Sequence, residues 1–184
     1  MTLPIVTLAL IEKSFHRSLH SASPKNWEGT VLDFLNEVDC LSVMKINAIL
    51  HSRFLSESVV RAFAVDCLRH AMDLFALENV RLSAAASNVA ERVMLGTATQ
   101  DEAKKAALNI WNETNDAAMK DASFHLREAF YYCAMAYCEP LWAACVHAAS
   151  AAECQSMYSP TRSHTHERAR QVAVLKKLIS AHMV

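Results

Sequence analysis

The 184-residue chain reads as an all-α protein, a single-domain bundle of about seven to eight helices built around an Ala-rich central helical pair. Three observations predict this. Glycine is nearly absent, with only Gly29 and Gly96, which disfavours tight hairpins, phosphate-cradling loops and dinucleotide-binding turns. Apolar residues recur at steps of three and four along most of the chain. No segment alternates apolar and polar residues for long enough to suggest a strand.

The first helix is expected from Thr2, with Pro4 tolerated in its first turn, to about Ser21. Leu8, Ile11, Phe15 and Leu19 fall at helical spacing there. With no basic residue ahead of the apolar run, the segment reads as a docked amphipathic helix rather than a signal peptide. The stretch SASPKNWEGT is the best loop, so residues 1–55 are expected to form an N-terminal helical appendage to a main unit at 56–184. Val31, Phe34, Leu35, Val38 and Leu41 mark a short helix, and Ser42 opens another in SVMKINAILHSRF. Ser56 or Ser58 caps SESVVRAFAVDCLRHAMDLFALE, whose Val60, Ala64, Cys67, Leu68, Ala71, Leu74 and Phe75 share a face.

Asn79 opens the next helix, which Gly96 closes. Thr99 and Glu102 have the spacing of a capping box, in which each side chain satisfies the other residue's orphaned amide. Asp121 caps a helix to about Cys138, and Pro140 sits in the first turn of one ending near Tyr158. The last helix, SHTHERARQVAVLKKLISAH, places Ala169, Val172, Leu175 and Ile179 on one side.

Residues 129–152, AFYYCAMAYCEPLWAACVHAASAA, are too interrupted for a membrane span. A span needs about 20 apolar residues, and Glu139-Pro140 breaks the run after roughly a dozen. Mean hydropathy is only +0.10. Its alanines instead suit close helix–helix approach, with aromatic residues filling the rim. A formal net charge of −1 argues against a nucleic-acid binder. The tail is locally basic: Arg162 to His182 holds five Lys/Arg and three His against one acid, Glu167. A solvated helix face is the ordinary reading of such a run, and contact with an acidic partner the sharper one.

The six cysteines, at 40, 67, 133, 138, 145 and 154, lie mostly in apolar helical contexts and read as reduced core residues of a cytoplasmic protein. Cys133, Cys138, Cys145 and His147 lack the paired knuckles that zinc requires, so no metal or cofactor is expected. Cys67 with His70 is conceivable as a nucleophile pair, and Glu113 with Asp116 as paired acids. Neither set comes with a recognisable pocket, so an enzyme or metal-binding protein with a Cys/His/carboxylate site is the alternative reading and a non-catalytic protein the main one. Asp66 stands at the edge of a buried face with Arg69 and His70 at i+3 and i+4, suited to a structural ion pair or to recognition.

Four segments appear in a telling order: RAFAVDCLRHAMDLF, SNVAERVMLGTATQDEAKKAA, AMAYCEPLWAACVHAASAA and HERARQVAVLKKLI. With its A-x-D-C helix, alanine-rich pair and terminal E-R-x-x-Q helix, this order resembles an all-helical immunity-protein family of bacterial polymorphic-toxin systems. The resemblance covers about 56 to 179. Phe63 and Arg170 stand where that pattern has tryptophans, LENVRLS replaces its proline-rich turn, and the first 55 residues have no counterpart. The resemblance implies inhibition by binding a cognate toxin protein, without nucleic acid or membrane, and carries over Asp66, Glu167 and Gln171 as partner-binding residues.

Overall fold

The computed structural model describes residues 3–19, 21–77 and 164–182, with isolated positions at 92, 97–99, 101, 102, 105 and 108. These residues are mostly helical. They form β1 (Ile5–Thr7), α1 (Leu8–Phe15), β2 (Glu28–Thr30), α2 (Val31–Glu37), α3 (Ser42–Ser52), α4 (Glu57–Leu77) and α5 (His164–Ala181). The helices expected between 79 and 158, the Gly96 closure, the Ala-rich pair, the Cys133/Cys138/Cys145/His147 set and the Glu113/Asp116 pair lie outside the described residues.

The N-terminus departs from the all-helical expectation. Ile5–Thr7 is a strand, paired antiparallel with Glu28–Thr30 so that Val6 faces Gly29. The reason is local. Ile5, Val6 and Thr7 are all β-branched and favour extended backbone, and the Thr7 hydroxyl accepts a bond from the Leu10 amide, starting α1 only at Leu8. Three-residue strands are too short to display a period of two. The helix also ends earlier than Ser21, because His16 adopts the left-handed conformation (φ 55°). Beyond it, the Glu12 carboxylate accepts from the Leu19 amide (2.8 Å) and the Ser18 hydroxyl (3.3 Å). Leu19 therefore reaches the core through a fastened turn and not through helical spacing.

Gly29 is required by close approach. A Cβ there would lie 2.8 Å from Cζ2 of Trp27 and 3.0 Å from Cβ of Asp33. The Trp27 indole is held edge-on to Phe34, with ring centroids 5.9 Å apart, and its Nε1–H donates to Glu37 (3.2 Å). Immediately afterwards Thr30 and Asp33 form a reciprocal capping box for α2: the Thr30 amide donates to Asp33 (2.8 Å) and the Asp33 amide to the Thr30 hydroxyl (3.1 Å). The Thr30 hydroxyl also donates to Asp33 Oδ2 (2.6 Å), and that bond, followed by the one from the Thr30 amide, lowers the Asp33 carboxyl pKa. α2 stops at Glu37, so Leu41, expected on its buried face, is 72% exposed.

The remaining described helices begin where expected. α3 runs from Ser42 and buries Ile46, Ala48, Ile49 and Leu50, then ends as Arg53 turns left-handed (φ 57°). Ser56, not Ser58, caps α4, accepting from the Val59 amide (3.4 Å). Val60, Ala64 and Cys67 are buried as expected, joined by Val59 and Phe63. On α5, Val172, Leu175 and Ile179 are buried, but Ala169 is exposed. One turn upstream the inward positions belong to Glu167, Arg168 and Gln171 instead. The capping box at Thr99 and Glu102 is present: each amide meets the other side chain, at 2.7 and 3.2 Å.

α3 packs against both α1 and α5, and α4 packs along α5. One apolar cluster joins Val6, Ile11, Phe34 and Ile49 to Phe63, Cys67, Leu175 and Ile179, so residues on both sides of position 55 share an interior. At the joint of α1 and α3, the rings of Phe15 and His51 lie 5.7 Å apart. Burial, then His16 and Arg17, lower the His51 pKa below its ordinary 6.5.

Two outcomes follow from this packing. Gly29→Ala should destabilise the fold by about 1–3 kcal/mol by displacing the Trp27 ring, seen as a lower melting temperature with a changed Trp emission; an unaltered melt would show that the ring yields freely. Because protonation of His51 is disfavoured in the folded state, its contribution to stability should fall as pH drops through 6.5. His51→Gln should therefore lose less stability than the parent between pH 7.5 and 5.5 in parallel denaturant titrations, and equal losses would count against the lowered His51 pKa.

Candidate functional site

The interface between α4 and α5 is apolar at one end and charged at the other. Helical spacing explains why. Asp66 and His70, four residues apart, share a face of α4, and Glu167, Arg170 and Gln171, at i, i+3 and i+4, share a face of α5. Packing brings these two faces together.

Glu167 is the centre of the arrangement, with only 2% of its side chain exposed. Its Oε2 accepts from Arg170 Nε (3.0 Å) and lies 3.2 Å from His70 Nε2. Its Oε1 accepts from Arg170 Nη2 (3.1 Å) and from Gln171 Nε2 (2.8 Å). The two Arg170 bonds make a planar fork on the carboxylate, the strong geometry for this pair. Arg170 Nη1 then reaches across to Asp66 Oδ2 (2.5 Å), and Arg168 Nη1 donates to Gln171 Oε1 (3.2 Å). One connected network thus ties α4 to α5.

The electrostatics follow from this geometry. Burial alone would raise the Glu167 pKa, but the hydrogen bonds from His70 and Arg170 outweigh it and pull the carboxyl down to about 2. Burial alone would lower the Arg170 pKa, and the bonds to Glu167 and Asp66 more than offset it, so its proton is held more firmly than usual. Cys67 is fully buried beside the network, and burial pushes its thiol pKa upward. Such a thiol stays protonated at neutral pH, the opposite of what the Cys67–His70 nucleophile needs. His70 faces Glu167.

The three residues singled out in the sequence, Asp66, Glu167 and Gln171, therefore meet at one place, and they differ in exposure. Glu167 and Gln171 are buried, whereas the Asp66 side chain is 40% exposed. Spacing offered Arg69 and His70 as neighbours of Asp66; its cross-helix partner is Arg170, 104 positions away, and His70 instead faces Glu167. Arg170 itself was legible only as a departure from a tryptophan. The signal that finds it is a Glu/Arg/Gln trio at i, i+3 and i+4 on a helix whose next turns bury Val172, Leu175 and Ile179.

Among the described residues, no group of three or more His, Cys, Asp or Glu is arranged to hold a metal ion, and no helix is long and apolar enough to cross a membrane. Comparison with protein-family models, curated proteins and solved structures finds no match.

Removing one partner from a buried pair leaves the other charge stranded. Arg170→Met should cost about 3–5 kcal/mol, while Asp66→Asn, at the half-exposed end, should cost roughly 1 kcal/mol or less. Urea titrations of the two variants test the ranking, and equal costs would contradict it. The Glu167 carboxyl titrates well below its ordinary 4.5, so its contribution is complete above about pH 4.5 and is lost as pH falls towards 2. In Glu167→Gln that acid-dependent loss should be smaller, and an unchanged pH profile of stability would deny the shift.

Proposed function

We propose that the chain is an immunity-type protein that binds and neutralises a cognate bacterial toxin domain in the cytoplasm, without catalysis of its own. The observation that carries the reading is the meeting of Asp66, Glu167 and Gln171, the residues the family resemblance implies, in one network across α4 and α5. Their roles divide by exposure. Gln171 holds Glu167 from inside, Glu167 fixes Arg170, and Arg170 fixes Asp66, which offers its more exposed carboxylate to the partner. Arg69, exposed one turn further along α4, lies beside it on the same surface.

In this reading the main unit at 56–184 carries the inhibitory face, and residues 1–55 brace it through the shared apolar cluster. Nucleic acid and membrane are not partners. A tight inhibitor interface buries about 1,600 Å² and draws most of its affinity from a few central residues; in this reading Asp66 is one of them.

The test is co-expression of the chain with the toxin domain encoded next to its gene. The expected result is rescue of growth and a stoichiometric complex on size exclusion. Asp66→Ala should weaken that complex at least tenfold while changing the melting temperature little. Failure of both rescue and complex formation would reject the proposal, and full affinity of Asp66→Ala would remove Asp66 from the face.

A further inference from the structure

We draw no further inference here: the strongest candidate, the basic patch of Lys13, His16, Arg17, His51 and Arg53 where α1 and α3 end side by side, sits on two helix C-termini whose carbonyl dipoles such cations ordinarily complement, and nothing in the structure shows what covers it.

Discussion

A carboxylate buried between two helices constrains everything around it. Glu167 is removed from water, and an isolated charge there would cost several kcal/mol. It is tolerated because Arg170, His70 and Gln171 occupy its oxygens together. That requirement fixes the rotation of α5, since only one face presents Arg170 and Gln171 to Glu167 while turning Leu175 and Ile179 into the apolar cluster. It also fixes the register of α4 against α5. Sliding one helix by a turn would take His70 away from Glu167 and Asp66 away from Arg170. Replacing buried ionic groups by apolar residues of similar volume is often neutral or stabilising, so what this network supplies is the choice of one register of α4 against α5.

The N-terminal elements are specified by other means. Between Ile5 and Glu37 the chain uses short-range devices: the Thr7 cap, the Glu12 turn clamp, the close approach at Gly29 and the Thr30–Asp33 box. Each caps or bends the backbone where too few residues exist for periodicity to act. These devices bring Val6, Ile11 and Phe34 to the interior shared with α5, so the segment before position 55 and the network-bearing helices are mechanically joined.

What could be seen in the sequence follows the same division. α3, α4 and α5 were legible because their apolar residues repeat over several turns and a serine or a charged turn marks the start. The sheet was not, because a three-residue strand has no period to detect, and Pro4 suited a first helical turn as well as an extended entry. Leu41 and Ala169 were placed inward by spacing alone; an early stop after Glu37 exposes the first, and the polar turn of α5 rotates the second outward. At the site, Asp66 could be recognised as an edge carboxylate, but local spacing offered Arg69 and His70 as its partners. The cross-helix partner Arg170 lies 104 residues away, and a contact of that separation leaves no trace in spacing.

The whole arrangement requires Glu167 to remain ionised while enclosed between α4 and α5. Following the carbon-13 shift of its side-chain carboxyl through an acid titration tests this most directly. The expected result is a carboxylate that persists below pH 3, with a midpoint of about 2. A midpoint at or above 4.5 would mean that burial outweighs the hydrogen bonds, and the network could not be what holds the two helices in register.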